Sequence, residues 1–126
     1  MMIGTVRIVP PSDRRDLVLE VLRSVQGPIL AQPGCVACDI LDERGPDHAI
    51  VLLERWDTRD AIEEHLGSNL YRRVLAAIEL SGATPEIRFD AVSATEGIEL
   101  IERLRNPGAS PAAPGIRATK TGGRQS

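Results

Sequence analysis

Aromatic side chains are almost missing from this chain, which holds one Phe, one Trp and one Tyr in 126 residues. That scarcity excludes a core of stacked rings and leaves the interior to Leu, Ile, Val and Ala. The 42% hydrophobic content supplies them in ordinary globular proportion. A small aliphatic core gains by sharing surface with a second subunit, so an oligomer is expected. A basic excess is missing too: the net charge of −3 argues against the footprint of a nucleic-acid binder. No apolar run is long enough to cross a bilayer, and the N-terminus lacks a signal-peptide pattern, so a cytoplasmic location is expected. Cysteine and histidine number two each. Cys35 and Cys38, in GCVAC, fall in a segment read as a strand, where residues three apart point to opposite faces. With no second ligand pair, neither zinc nor a thioredoxin-like motif fits, and two small buried thiols remain. The chain also lacks G-x-G-x-x-G, a phosphate loop and His-rich metal spacing, so no cofactor and no metal are expected.

What is present is a regular succession of elements. IGTVRIV (3–9) alternates as a strand, and PPSDRRDLVLEVLRSVQG follows as a helix with Leu17, Val18, Val21, Leu22 and Val25 on one stripe. Ser12 or Asp13 can cap it, and Gly27-Pro28 should bend or end it. QPGCVACDIL runs into a second strand, DERGPD (42–47) turns, and HAIVLLERW forms a third. Within that third strand Ala49 to Leu53 is continuously apolar, so both faces should be covered: one by helices, the other by a partner's sheet. Asp57 or Thr58 can cap a short helix ending at Gly67, and Ser68 can cap the next, through about Leu80. EIRFDAV is a fourth strand with Ile87, Phe89 and Ala91 on one face. The order β-α-β-β-α-β is α+β and ferredoxin-like, an antiparallel sheet with helices on one face. A C-terminal helix at about 95–105 completes a domain over 1–105, and its Leu100, Ile101 and Leu104 could grip a neighbouring surface. Residues 106–126, rich in Gly, Pro, Ala and Ser and free of acids, read as a flexible tail.

The sole Trp, the sole Tyr and one His gather in LLERWDTRDAIEEHLGSNLY (52–71). Along the third strand His48, Ile50, Leu52, Glu54 and Trp56 share a face. His65 lies on the apolar stripe of the short helix with Ala61 and Ile62, and Tyr71 on that of the next. Both polar tips therefore face the sheet, and the break at Gly67-Ser68 opens a gap between them. A His can act as a general base because it ordinarily titrates near neutrality, and Trp56 and Tyr71 can stack on a flat ring. A hydrogen-bonded core His is the blander reading. Glu54 and Arg55 are expected in surface or interface pairs, and Arg88 can reach either the pocket or the barrel.

The motifs QPGCVACDIL, VLLERW, HLGSNLY (His65 nine residues beyond Trp56) and PEIRFDAV make residues 3–93 resemble the antibiotic-biosynthesis-monooxygenase family of small dimeric α/β-barrel proteins. The resemblance implies a homodimer with a pocket between sheet and helices, lined by His65, Trp56 and Tyr71. It further implies a cofactor-independent oxidation of a quinol-like or polycyclic phenolic aromatic by O2. In that reading His65 is catalytic, and Trp56, Tyr71 and Arg88 bind the substrate. Relatives that degrade haem use an Asn in the first strand, a Trp in the broken helix and a later His. Here Thr5 and Arg7 stand in the first strand, His65 takes the Trp position and no later His exists. Fold alone does not certify an oxygenase. The alternative is a non-catalytic dimeric module that binds a small hydrophobic ligand or a partner protein.

Overall fold

The computed structural model describes residues 1–108. The chain divides into two units, residues 1–92 and a second beginning at Ser93. In the first, β1 (Met2–Ile8) leads through a 3-10 turn to α1 (Arg15–Leu30), and β2 (Cys35–Asp42) and β3 (Ile50–Trp56) follow. Then come α2 (Arg59–Leu66), α3 (Tyr71–Ile78) and β4 (Glu86–Ala91). The four strands form one antiparallel sheet in the order β2-β3-β1-β4. The fold is α+β and ferredoxin-like.

Strict alternation in β1 and β3 divides the sheet into two faces. Met2, Val6 and Ile8 with Ile50, Leu52 and Trp56 are buried towards the helices, where they meet Val18, Leu22, Val25 and Ile29 of α1 and Val74 and Ala77 of α3. Each fully buried Leu, Ile or Val contributes about 1.5–3 kcal/mol. The opposite face presents Ile3, Thr5 and Arg7 of β1 and Val51, Leu53 and Arg55 of β3, all half-buried. Arg7 is ringed there by Glu43, at 2.6 Å, Asp47 and Glu86.

Four local expectations are corrected. First, of the bend or end expected at Gly27-Pro28, the end does not occur, and α1 runs on to Leu30. An interior proline costs about 3 kcal/mol. Burying Ile29, which has no exposed surface, offsets much of that, and the Ala31 N–H still reaches the Gly27 carbonyl at 3.0 Å. Second, neither Ser12 nor Asp13 caps α1 through its side chain; both lie in the preceding 3-10 turn. Third, His48 is not part of β3: it takes φ +50° in the turn before it. Fourth, Cys35 and Cys38 do not point to opposite faces. An irregularity between Cys35 and Ala37 inserts one extra residue, so Cys35 pairs with Trp56 and Cys38 with Glu54, both helix-facing.

The second unit holds α4 (Ile98–Arg105), with Ile98, Ile101 and Leu104 exposed along one stripe and Arg103 paired to Glu96 at 2.8 Å. Most of the tail read over 106–126 lies outside the described residues. No described helix is long and apolar enough to cross a membrane.

Candidate functional site

The pleat of β3 sends Glu54 and Trp56 to the same side, under α2. The Thr58 hydroxyl opens that helix by accepting the Ala61 N–H at 3.1 Å, and the buried residues of α2 are then Ile62 and His65. Beyond Gly67, the Ser68 hydroxyl donates to the His65 carbonyl at 2.7 Å and accepts the Tyr71 N–H at 3.4 Å. One side chain thus ties the end of α2 to the start of α3 and turns Tyr71 inward.

A third segment arrives from the other side. Gly34 takes φ +86°, and its carbonyl accepts the Asp57 N–H at 2.9 Å. A Cβ there would stand 2.5 Å from the Ala61 Cβ and 2.7 Å from Asp57 Oδ1, so only glycine lets the loop after α1 lie this close to α2. That approach brings Gln32 to His65.

The resulting cluster is compact. The indole of Trp56 stacks on the His65 imidazole with centroids 4.6 Å apart and planes inclined by 26°, and Tyr71 meets the same imidazole edge-on at 5.0 Å. Trp56 Nε1 donates to Glu54 Oε1 at 2.9 Å. His65 Nδ1 lies 2.6 Å from Gln32 Oε1, within hydrogen-bond geometry. His65 Nε2 lies 2.9 Å from Glu54 Oε1, but the oxygen sits off the ring's N–H direction, so this buried nitrogen has no aligned partner. His65 is 2% exposed and Glu54 4%.

Burial, reinforced by the charge of Glu54, pushes the Tyr71 hydroxyl up to about 12, the Cys38 thiol up to about 12 and the Cys35 thiol up to about 11. All three stay protonated and neutral at pH 7. What remains is a carboxylate beside a free imidazole nitrogen. That arrangement can accept a proton at Nε2 and stabilise the cation it makes.

His65, Trp56 and Tyr71 are therefore brought together as the sequence places them. Arg88 is not. Its partner across the ladder is Thr5, so it projects from the far face of the sheet, where it pairs with Asp90 at 2.9 Å. Glu54, expected in a surface or interface pair, is instead buried at the centre. The strand alternation that places Trp56 inward applied equally to Glu54. Gln32 was missed altogether. At the Gly67-Ser68 break there is an open surface depression, and Asp60, Glu63 and Glu64 line it with negative charge. Among the described residues, no three His, Cys, Asp or Glu side chains gather as a metal-binding group.

Comparison with known proteins bears on this arrangement. The family model for antibiotic biosynthesis monooxygenase matches residues 1–77, a span that contains Gln32, Glu54, Trp56, His65 and Tyr71. The structure of Rv0793 from Mycobacterium tuberculosis is similar, with a TM-score of 0.68 and 26% identity over 76% of this chain and 98% of that one. A provisionally assigned antibiotic biosynthesis monooxygenase of Deinococcus radiodurans gives a TM-score of 0.70 at 15% identity, over 78% and 98% of the two chains. PA3566 from Pseudomonas aeruginosa gives 0.63 at 20%, over 74% and 94%. The last two, at such low identity, show the fold alone. No curated protein matches the sequence significantly.

Proposed function

The chain belongs to the antibiotic biosynthesis monooxygenase family, and from that membership we propose that it is a cofactor-independent monooxygenase of a quinol-like or polycyclic phenolic aromatic. The observation that carries the reading is the buried, unpartnered Nε2 of His65 beside the Glu54 carboxylate. In this reading a phenolic proton passes to Nε2. The adjacent carboxylate favours the imidazolium that forms, as an opposite charge within a few ångströms does. The electron-rich anion, held against Trp56 and Tyr71, then reacts with O2. One oxygen atom forms a new C–O bond and the other leaves as water. The substrate, oxidised to the hydroxyquinone level, supplies all four electrons, so no external reductant is required. The working unit is a homodimer, its two sheets packed through the face that carries Val51 and Leu53. Arg88, on that face, belongs to the dimer side and not to the pocket.

A second reading has one observation in its favour. The cluster is closed: Trp56 and His65 are almost wholly buried, and the open depression at the helix break is lined by carboxylates that repel a phenolate. A dimeric module that binds a hydrophobic ligand without turnover needs no free path to His65. O2 uptake with a panel of naphthoquinols and anthraquinols, corrected for autoxidation, separates the two. General-base assistance is worth about 10²–10⁴-fold, so His65→Ala should slow the reaction by that order and retain binding of the aromatic. A wild-type rate equal to the blank across the panel, with ligand-induced stabilisation, supports the binding module. A robust rate unchanged by His65→Ala returns His65 to the core.

A further inference from the structure

His65 has two ring nitrogens, and only one of them can serve as the base described above. We propose that Gln32 decides which one, by accepting the Nδ1 proton and so leaving the lone pair on Nε2. This rests on the reading of His65 as a proton acceptor.

The two contacts of the ring differ in kind. The Gln32 contact is short, 2.6 Å, and meets hydrogen-bond geometry at Nδ1. The Glu54 contact is 2.9 Å but out of line with Nε2. A carbonyl oxygen cannot donate, so the shared proton at Gln32 belongs to Nδ1. A carboxylate cannot donate either, so a ring with no proton on Nε2 makes no hydrogen bond to Oε1, which agrees with the missing hydrogen-bond geometry at that nitrogen. Glu54 is meanwhile occupied by the Trp56 N–H at 2.9 Å, which holds its charge in place. The ionisable groups around the ring are Glu54 from β3, Tyr71 from α3, and Cys35 and Cys38 from β2 beside Glu54. None of the last three hydrogen-bonds to the ring, and the contact at Nδ1 is with Gln32.

Without the Gln32 carbonyl the preference should invert. A buried Nδ1–H with no acceptor is costly, whereas a small ring rotation lets Nε2–H donate to the Glu54 carboxylate. The lone pair on Nε2 is then lost. Gln32 is thus a positioning residue for His65.

The test reads the tautomer directly. The chain has only two histidines, so long-range 1H–15N spectra of its imidazoles hold two ring patterns, and His48→Asn assigns them. At a pH where both rings are neutral, wild-type His65 should show a protonated Nδ1 and a bare Nε2. Gln32→Met should move the proton to Nε2, and Gln32→Glu, whose carboxylate also only accepts, should leave it on Nδ1. In quinol-dependent O2 uptake, kcat should fall on the order of 10²-fold for Gln32→Met with little change in KM. A wild-type ring protonated on Nε2 or on both nitrogens overturns the proposal. So does a Gln32→Met ring still protonated on Nδ1. Tautomer patterns as expected with no turnover by the wild type would uphold the role of Gln32 and reject the monooxygenase reading. Turnover that depends on His65 but not on the tautomer would do the reverse.

Discussion

Replacing Gly34 by alanine tests whether the loop after α1 is clamped to α2 by backbone geometry. The new Cβ would meet the Ala61 Cβ at 2.5 Å and Asp57 Oδ1 at 2.7 Å. Neither obstacle is the free end of a long side chain, so the loop or the first turn of α2 must move. Displacement of this kind in a packed region costs about 1–3 kcal/mol. The left-handed backbone at φ +86° adds about 1–2 kcal/mol for any residue with a Cβ. Alanine also restricts the unfolded chain, which returns about 0.4–1 kcal/mol. The net expectation is a loss of about 2–4 kcal/mol, with the Asp57 N–H to Gly34 bond broken and Gln32 drawn away from His65. Urea unfolding followed by circular dichroism, at one fixed protein concentration, measures it. A loss below about 1 kcal/mol would mean that the segment yields easily, and the account of how Gln32 reaches the cluster would fail.

Gly27→Ala is the counterpart: beyond its chain neighbours nothing lies within 4 Å of the added Cβ, but the ring of Pro28 disfavours the helical conformation of a preceding residue with a Cβ, so the usual gain of about 0.5–1 kcal/mol over glycine should be absent in the same assay. Light scattering should find a dimer at micromolar concentration, and Leu53→Asp, which puts a charge at the centre of the uncovered sheet face, should yield a monomer. Cys35, Cys38 and Tyr71 ionise less readily folded than unfolded, so their contribution to stability is complete below about pH 9 and is lost as pH rises through about 11–12. Melting temperature should therefore fall across that alkaline window, and less steeply in Glu54→Gln. A native protein whose Cys38 reacts with iodoacetamide at pH 8 as fast as in urea would contradict the burial of that thiol.

Periodicity made much of this legible. Alternation placed Trp56 inward, helical spacing placed His65 and Tyr71 against the sheet, and Thr58 and Gly67 bounded α2 where the sequence put them. Periodicity failed where a chemical expectation was allowed to override it. Glu54 shares a face with Trp56, yet its charge suggested a surface role, because burial of a carboxylate is costly unless partners are supplied from elsewhere. The hydrogen bond that compensates it comes from Trp56 Nε1, at 2.9 Å. Gln32 had no signal at all, since a loop residue carries no period and its contact spans 33 positions. At Pro28 local propensity favours a bend or an end, and the burial of Ile29 carries the helix on to Leu30. The extra residue in β2 reversed the direction assigned to Cys35, as a one-residue slip must.

Because this chain has a single tryptophan, and that indole lies flat on His65 with its N–H committed to Glu54, the protein carries its own optical probe. An excited indole gives up an electron readily to a stacked imidazolium and poorly to a neutral imidazole. Its emission therefore reports, without any label, whether a proton has arrived on His65. If the proposed reaction runs, a stopped-flow fluorimeter would see that proton arrive and depart.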